Sequence, residues 1–493
     1  MDEILSFGNV VLVVALAFAL VLVVIRLTTR FPIPNPALFL VAAAVASDLF
    51  PSISNHLSVK SAERLGVLAL ILILFDGGMD VGWSRFRRAA LPIATLGVVG
   101  TFATAAVLAA GSHALFDFDW TTACILGAAL APTDPAVMFS VLGNREVRGR
   151  SATVLEGESG ANDPVAIALM IAVLDYATGG GSSTWHSMGQ FAISMVVGLA
   201  IGAVGAALLV PIMRRYALPS EGLYPLRTLA AAFVIYAVAT VAHGSGFLAV
   251  FVAGLMIGDI RAPYKTEIES FHKALASLGE IVVFTALGLT VSLSVLGQRS
   301  VWLDGLLLAA LLTFLVRPLI IGVLLVPVRL RLGERIFVAW GGLRGAVPIL
   351  LGTLVLLENV DSAARVYGII FVVVLFSVVL QGSSMPFLAA PLGVRMRTIE
   401  PQPWNISVRM REEPRHFTRY VVSRDSRAVG HPIRELPLGE SAWISMLVRD
   451  GAPHAPRGST VLQPGDELVL HSEADDERAL SRLFGGQLQG TRA

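Results

Sequence analysis

Charged residues are scarce in this chain of 493 residues, because only 15% are Asp, Glu, Lys or Arg, whereas 55% are hydrophobic. The mean hydropathy is +0.72. Soluble domains carry about a quarter charged residues, so this composition excludes an ordinary soluble protein. Cysteine is nearly absent as well: Cys124 is the only one, which excludes a disulfide framework. The net charge of +1 does not indicate nucleic-acid binding.

Apolar runs long enough to cross a bilayer, about 17 to 25 residues, occur at thirteen places and predict an all-α polytopic membrane protein in contact with lipid. The predicted spans are 8–27, 34–50, 64–81, 89–111, 120–143, 155–176, 188–213, 226–243, 245–259, 275–296, 301–326, 335–356 and 364–391. The first span follows Asp2 and Glu3 instead of a basic segment, so we expect it to be retained rather than cleaved.

Basic residues are distributed very unevenly over the predicted loops. The loops after odd-numbered spans, together with the span ends beside them, carry seventeen Lys and Arg residues. The opposite side carries four, namely Lys60, Arg64, Arg299 and Arg365. Because positive charge stays on the cytoplasmic side, we expect a plasma (inner) membrane protein with its N-terminus outside and its C-terminal segment in the cytoplasm.

The composition changes after Arg397 and becomes that of a soluble segment. We expect a transmembrane domain at 1–397, a linker at 398–413, a soluble domain at 414–486 and a tail at 487–493. The segments RHFTRYVVS, AWISMLVRDG and DELVLHSE are typical of strands, and DDERALSRLF of a helix. The sequence thus predicts a small cytoplasmic α+β domain, which we expect to dimerise because its core is small.

The sixth span contains the polar segment EGESGANDPVAIAL, although ionisable residues inside a membrane are costly and usually functional. On a helix, Asn162, Ser159 and Asp163 lie about 40°, 100° and 140° from Glu158, so three oxygen-bearing side chains share one face. Pro164 frees a main-chain carbonyl in the preceding turn. Carboxylate, amide, hydroxyl and main-chain oxygens suit a hard monovalent cation.

Two further spans are interrupted by proline or glycine. In the fifth span, APTDPAV, two prolines flank Thr133 and Asp134 and prevent an unbroken helix. In the twelfth, WGGLRGAVPIL, glycines surround Arg344. Broken helices in both halves of a chain indicate a transporter with inverted repeats and a binding site near the membrane midplane.

Charges buried in the membrane require partners of opposite sign. We expect Arg344 to pair with Glu158, so that Glu158→Ala destabilises the protein. A second structural pair is expected between Glu280 in the tenth span and Arg317 in the eleventh.

These motifs, in this order, resemble the NhaP-type branch of the cation:proton antiporter superfamily over about residues 8–392. APTDPAV is similar to the unwound-helix Thr-Asp motif, GESGANDPVA to the Asn-Asp motif and GGLRGAVPI to the second crossed helix. LFDGGMD is similar to the acidic third helix, with Asp76 where many sodium-type members carry Glu. The resemblance implies a homodimer with a scaffold half and a mobile core half that operate by elevator-like alternating access.

The same resemblance implies a role for each polar residue. Asp163 would bind the cation or a proton, Asn162, Ser159 and Thr133 would support it, and Asp134 would orient the broken helix. Asp76 is included among the cation- or proton-binding residues, and K⁺ or Na⁺ would be held by Asp163, Ser159 and Thr133.

The tail, with GHPIRELPLGESAWISMLVRDG and LQPGDELVLHSE, resembles an RCK-C (TrkA C-terminal) regulatory domain. NhaP-type members that end in this way resemble the potassium/proton antiporters of the cell volume regulation protein A family. No G-x-G-x-x-G segment follows a strand here, so the nucleotide-binding RCK-N module is not expected. The resemblance implies a small nucleotide as a ligand of the tail, and no other cofactor.

The sequence therefore favours a secondary antiporter, not an enzyme, that exchanges K⁺ for H⁺ and serves K⁺, pH and cell volume homeostasis. One carboxylate that carries either a proton or a cation predicts electroneutral exchange. Na⁺/H⁺ exchange is the alternative within this class. A cation channel gated by the tail would need a carbonyl filter such as T-V-G-Y-G, which the sequence lacks. An intramembrane aspartyl hydrolase using Asp76, Asp134 or Asp163 conflicts with the broken helices.

Overall fold

The computed structural model describes most of the chain, in two compact units, Met1–Pro401 and Gln402–Ala493. The described ranges are 34–49, 58–134, 145–147, 149–178, 184–328, 330–358, 360–394, 396–398, 417–438, 442–449, 452–471 and 477–484, with a few isolated positions. Apart from such positions and Thr398, the first predicted span (8–27), the predicted linker (398–413) and the predicted tail (487–493) lie outside the described residues.

Helices make up nearly all of the described part of the first unit. They are α1 (Asn35–Leu49), α2 (Val59–Val81), α3 (Trp83–Arg88), α4 (Ala90–Phe116), α5 (Trp120–Leu130), α6 (Arg150–Ala177), α7 (Thr184–Arg215), α8 (Leu223–Val241), α9 (Gly246–Gly258), α10 (Lys265–Leu289), α11 (Leu293–Leu296), α12 (Arg299–Leu324), α13 (Leu332–Trp340), α14 (Ala346–Leu357) and α15 (Ala363–Ala389). Within the described ranges, seven are long and apolar enough to cross a membrane, and α1, α5, α9 and α14 are shorter apolar helices.

Each predicted span from the second to the thirteenth overlaps one of these helices or helix pairs, although most of residues 135–143 in the fifth span lie outside the described residues. The twelfth span is divided into α13 and α14, and α5 ends in the middle of the fifth, as the proline and glycine patterns predict. The helical membrane fold is therefore confirmed, whereas the total of thirteen spans stays a prediction.

The helices of the first unit form two groups. The panel group contains α1, α2 and α7 to α10, in which α2 packs most extensively against α9 and α10. The core group contains α4 to α6 and α12 to α15, in which α4 packs on α5 and α12 on α15. The two groups meet where α2 and α10 contact α14, and where α6 contacts α2, α7 and α9.

Glycines allow α2 and α9 to approach closely within the panel group. A Cβ on Gly254 would overlap the carbonyl oxygen of Phe75, and one on Gly78 would lie only 2.5 Å from the carbonyl oxygen of Phe251. Small residues at such a crossing let two helix backbones touch in an apolar environment. Phe251 also packs on Gly160 of α6, which links this crossing to the polar segment.

A two-stranded ribbon joins two distant parts of the first unit. Strand β1 (Arg145–Val147) pairs antiparallel with β2 (Met396–Thr398), with Val147 opposite Met396. The segment before α6 and the segment after α15 therefore lie at the same end of the helix bundle. An even number of spans between them, as predicted, requires this arrangement.

The second unit is a four-stranded antiparallel sheet with one helix. The strands are β3 (Phe417–Val421), β4 (Trp443–Arg449), β5 (Ala452–His454) and β6 (Glu467–His471), in the order β3-β6-β4-β5, and the helix is α16 (Glu477–Phe484). Tyr420, Leu447, Leu468, Leu470 and Phe484 are fully buried in its core. The predicted α+β domain, with its three strands and closing helix, is confirmed.

Candidate functional site

The breaks in the two interrupted helices lie against each other within the core group. The chain leaves the helical conformation after Leu130 and again between α13 and α14. The amide of Asp134 donates a hydrogen bond to the carbonyl of Leu343 (2.8 Å), and Nε of Arg344 donates to the carbonyl of Leu130 (2.9 Å). Each break therefore satisfies polar main-chain groups of the other, which is how irregular backbone is tolerated inside a membrane.

Glycine is required at the crossing because side chains of the other elements occupy the space beside it. A Cβ on Gly345 would overlap the carboxylate of Asp134, and a Cβ on Gly342 would overlap the guanidinium of Arg317. Gly342 and Gly345 thus interrupt the twelfth predicted span and leave room for the guanidinium of Arg317 and the carboxylate of Asp134.

Thr133 connects the break after α5 to the polar face of α6. The hydroxyl of Ser159 donates to the carbonyl of Thr133 (2.6 Å), and Nδ2 of Asn162 donates to its hydroxyl oxygen (2.7 Å). The helical wheel predicted that Ser159 and Asn162 share a face with Asp163, and the structure brings the first two onto one residue. This set is called the Thr133 cluster below: Thr133, Ser159, Asn162 and Asp163.

Two oxygen atoms of this cluster are left without partners. Oδ1 of Asn162 and Oδ1 of Asp163 are buried and accept no hydrogen bond from the described residues. Asp163 is only 5% exposed, and its charged neighbour is another carboxylate, that of Asp134. Burying an unpaired carboxylate is very unfavourable, so a proton or a bound cation must neutralise this site.

The donor set suits a monovalent cation better than a transition metal. Carboxylate, amide, hydroxyl and main-chain oxygens converge on the Thr133 cluster. Among the described residues, no three His, Cys, Asp or Glu side chains are grouped so that they would hold a metal ion. Oxygen ligands of mixed type with a single carboxylate are those expected for K⁺ or Na⁺.

Glu158 forms a buried ion pair, but with a different arginine from the one predicted. Nη1 and Nη2 of Arg317 donate to the two carboxylate oxygens of Glu158 at 2.5 and 3.0 Å. The predicted pair of Glu158 with Arg344 is therefore wrong, and so is that of Glu280 with Arg317. Arg317 directly follows a π-helical segment of α12, Leu311–Val316. Its planar guanidinium matches the two oxygens of a carboxylate, which favours the bidentate pair with Glu158.

Arg344 instead holds the two breaks together. Besides Leu130, its guanidinium donates to the carbonyl of Gly342 (2.5 Å), and its main-chain amide donates to the hydroxyl of Ser377 (2.9 Å). Carbonyls freed by the broken helices take the place of the carboxylate that the sequence alone suggested. The side chain is 1% exposed.

Ser377 and Gln381 of α15 belong to this polar network and were missed in the sequence. The hydroxyl of Ser377 donates to Oε1 of Gln381 (3.0 Å), and Nε2 of Gln381 donates to the carbonyl of Trp340, the last residue of α13 (2.5 Å). Two polar residues four positions apart in a mainly apolar span share a helix face. That spacing would have identified them.

Asp76 lies on α2 in the panel group, with different neighbours from those of the Thr133 cluster. Its charged neighbours are Asp80, Lys273 and Glu269 on α2 and α10. None of them belongs to the Thr133 cluster, and the assignment of Asp76 to the cation- or proton-binding residues stays a prediction.

Comparison with known proteins agrees with this geometry. Residues 15–390 match the family described as sodium/hydrogen exchanger, transmembrane, and residues 417–485 match the TrkA-C domain. The chain is 32% identical to a K⁺/H⁺ antiporter NhaP of Alkalimonas amylolytica, over 94% of this chain and 81% of that protein. It is 31% identical to a K⁺/H⁺ antiporter NhaP2 of Shewanella sp. (strain MR-4), over 97% and 84%.

A solved structure shows the same fold for the first unit. The sodium proton antiporter MjNhaP1 from Methanocaldococcus jannaschii superposes with a TM-score of 0.67 at 24% identity, covering 80% of this chain and 99% of that one. The resemblance stated from the motifs is thereby confirmed. This chain belongs to the sodium/hydrogen exchanger family of membrane transporters, with an NhaP-like transmembrane fold and a TrkA-C domain.

Proposed function

We propose that this protein is a K⁺/H⁺ antiporter of the plasma membrane. The observation that carries the proposal is the buried carboxylate of Asp163 beside the crossing of two broken helices, whose Oδ1 has no hydrogen-bond partner among the described residues. In the low dielectric of the membrane, the carboxylate of Asp163 can move across the bilayer only when its charge is neutralised. A proton neutralises it in one direction of the transport cycle and a cation neutralises it in the other. The proton and the cation compete for the same carboxylate, so the transport of one is coupled to transport of the other in the opposite direction.

The choice of K⁺ over Na⁺ is supported by how the relatives align. Two relatives named K⁺/H⁺ antiporters align over 94% and 97% of this chain, which includes the TrkA-C region. A relative named Na⁺/H⁺ antiporter NhaH, of Halobacillus aidingensis, is 27% identical and aligns over 79% of it. Na⁺/H⁺ exchange is therefore the less favoured alternative.

Each residue near the site has a distinct role in this mechanism. Asp163 binds the cation or proton, and Ser159, Asn162 and Thr133 supply neutral oxygens. Asp134 fixes the break after α5, because its main-chain amide donates a hydrogen bond to the carbonyl of Leu343. The pair of Glu158 and Arg317 is internally neutral. Asp163 is the carboxylate that takes up either the proton or the cation, and the exchange is electroneutral.

The movement is an elevator-like displacement of the core group against the panel group. The protein acts as a homodimer, with its N-terminus outside and its TrkA-C domain in the cytoplasm. That domain regulates transport in response to a small ligand, with a small nucleotide as the proposed chemical class. In the cell, such exchange serves K⁺, pH and volume homeostasis.

Proteoliposomes that contain a pH-sensitive dye test the activity directly. A K⁺ gradient should drive proton movement in the wild type, Rb⁺ should replace K⁺ in part, and Na⁺ should be less effective. Asp163→Asn, which keeps the size of the side chain and removes its charge, should abolish exchange. Unchanged activity in that variant would refute the mechanism.

The stoichiometry has its own test in the same vesicles. With equal K⁺ on both sides, an imposed membrane potential should leave the internal pH unchanged, because no net charge moves in an electroneutral cycle. A potential-driven pH change that depends on the protein would exclude one-for-one exchange.

A further inference from the structure

Helix α15 carries three polar residues that share one face of a mainly apolar span. They are Ser377, Gln381 and Ser384, and they are called the α15 polar face below. Ser377 and Gln381 are only 3% and 4% exposed. Polar side chains buried in this way are tolerated when they form hydrogen bonds, and all three bond to the segment that connects α13 to α14 or to its first residue, Trp340. The α15 polar face therefore surrounds the second broken helix.

The α15 polar face begins in a π-helical segment, Ser377–Gly382. Such wide turns are rare, and they occur frequently at functional sites. A second one in α12, Leu311–Val316, contains Thr313, whose hydroxyl donates to Oε1 of Gln381 (3.4 Å). Two wide turns therefore contact each other beside the broken helix, which distinguishes this region from ordinary helix packing.

The α15 polar face holds both sides of the break between α13 and α14. On the first side, the carbonyl of Trp340 accepts from Nε2 of Gln381 (2.5 Å), and its indole Nε1 donates to the hydroxyl of Ser384 (2.8 Å). On the second side, the main-chain amide of Arg344 donates to the hydroxyl of Ser377 (2.9 Å). Ser377 in turn donates to Oε1 of Gln381 (3.0 Å). The two sides of the break are therefore fixed by one connected set of hydrogen bonds.

The hydrogen bonds continue from this break to the Thr133 cluster. The carbonyl of Leu343, the residue before Arg344, accepts from the amide of Asp134 (2.8 Å). Thr133 precedes Asp134 in the chain, and its carbonyl and hydroxyl oxygens accept hydrogen bonds from two other members of the cluster. Each step is one hydrogen bond or one peptide unit. The position of the Thr133 oxygens therefore depends on the position of Leu343.

We propose that Ser377 and Gln381 are positioning residues of the cation site. They fix the break between α13 and α14 and thereby hold the oxygens of Thr133 where a cation binds together with Asp163. This inference rests on the proposed function, because it assumes that a monovalent cation is the substrate. A cation needs several oxygens at suitable distances at the same time, and residues behind the ligands hold them there. Neither Ser377 nor Gln381 contacts the cation itself.

A purely structural role of Ser377 and Gln381 gives a different experimental result. Loss of stability lowers the fraction of folded protein and with it the maximal rate of exchange. It leaves unchanged the half-saturating K⁺ concentration of the molecules that remain folded. Loss of positioning instead raises the half-saturating K⁺ concentration, so the two roles separate when both quantities are measured.

The test uses serine variants of α15 in proteoliposomes that contain the full chain. Ser377→Ala removes the acceptor for the amide of Arg344, and we expect it to raise the half-saturating K⁺ concentration by about three- to tenfold, as for the loss of one hydrogen bond. The maximal rate per folded protein should change less. Ser377→Thr keeps the hydroxyl and should restore the half-saturating concentration to near that of the wild type. Ser383→Ala is the matched control, because it makes the same chemical change on the same helix outside the α15 polar face, and it should leave both quantities near the wild type.

Gln381→Met keeps the length of the side chain and removes the hydrogen bonds of its amide, including the one to Trp340. It should raise the half-saturating K⁺ concentration at least as much as Ser377→Ala. The K⁺-dependent rise in melting temperature reports binding without transport, and both variants should shift its midpoint to higher K⁺.

Three results would overturn the proposal. They are an unchanged half-saturating K⁺ concentration and thermal midpoint in Ser377→Ala, an equal rise in Ser377→Ala and Ser377→Thr, which would show a packing effect, and an equal rise in Ser383→Ala. Absence of K⁺/H⁺ exchange in the wild type would instead reject the proposed function, and the thermal titration would still show whether Ser377 affects K⁺ binding.

Discussion

The ion pair of Glu158 and Arg317 is a buried interaction of the core group that can be tested by substitution. Both side chains are at least 95% buried, and two parallel hydrogen bonds join them. Removing one partner leaves an uncompensated buried charge, at a cost of about 3–5 kcal/mol. We expect Glu158→Ala and Arg317→Ala each to destabilise the protein by this amount in detergent unfolding experiments.

The double variant Glu158→Ala/Arg317→Ala should lose less stability than the sum of the two single variants, because neither charge is left alone. A double-mutant cycle of Glu158→Ala with Arg344→Ala should give a smaller coupling energy, since main-chain carbonyls accept the hydrogen bonds of the Arg344 guanidinium. Additive effects for Glu158 and Arg317, or stronger coupling through Arg344, would contradict the assignment.

These two arginines also show where sequence reasoning reached its limit. The requirement for a buried partner of Glu158 followed from elementary electrostatics, and the expected destabilisation by Glu158→Ala remains a prediction with Arg317 as the partner. The choice between Arg317 and Arg344 depends on which main-chain carbonyls a broken helix leaves free. Which carbonyls are free depends on how the two broken helices cross in three dimensions, and the spacing of residues in the sequence does not indicate it.

The crossing of the two broken helices depends on close contact at Gly345. A methyl group there would overlap the carboxylate of Asp134, so we expect Gly345→Ala to destabilise the protein by about 1–3 kcal/mol, as overpacking does, and to reduce K⁺/H⁺ exchange severely. Gly322→Ala in α12 is the matched control, because no atom lies within 4 Å of its added Cβ. Equal exchange rates in the two variants would show that the contact is unimportant.

Helices were predicted well where hydrophobic length decides them and less well at their ends. The tenth span was predicted to begin at 275, but α10 begins at Lys265, because its first turns carry charged residues that a hydropathy criterion excludes. The members of the Thr133 cluster were predicted from helical periodicity and from the two prolines that flank Thr133 and Asp134. Ser377 and Gln381 were not predicted, since neither is charged and neither lies next to a proline- or glycine-rich helix break.

The second unit has an ionisable group whose protonation should control its stability. Asp466 is 1% exposed and accepts two hydrogen bonds from Arg449 and one from the amide of Gln463, each 2.8 Å long. Burial alone would raise the pKa of Asp466, but these hydrogen bonds and the charge of Arg449 outweigh it and hold the pKa below its usual value. Because the folded pKa is depressed, this stabilisation is present above the unfolded pKa of about 3.9 and is lost as pH falls through the folded value.

Hydrogen exchange of residues 442–471 in the full-length protein measures this effect. Protection in the wild type should decrease below about pH 4, near the unfolded pKa. Asp466→Asn should lose about 3 kcal/mol by removal of one partner of a buried pair, with a flatter pH profile. Wild-type protection in that variant at pH 7 would exclude the stabilising role.

The molecule as a whole joins a transporter unit to a TrkA-C unit through a segment that begins at the β1–β2 ribbon. Strand β2 follows α15 and is hydrogen-bonded to β1, which precedes α6, the helix that carries Asp163. The chain that continues toward the second unit is therefore anchored to the core group by main-chain hydrogen bonds.

Truncation after Glu400 removes the TrkA-C unit and leaves the ribbon intact, so it separates regulation from transport. We expect the truncated protein to retain K⁺/H⁺ exchange, because the Thr133 cluster and both broken helices are complete, but with an altered dependence of rate on pH or on an added nucleotide. Asp466→Asn, which weakens the unit without removing it, should shift the same curves in the same direction and by a smaller amount. If all three proteins gave identical curves, the TrkA-C unit would have no gating role, and dimerisation or stability would be the remaining explanation for its presence.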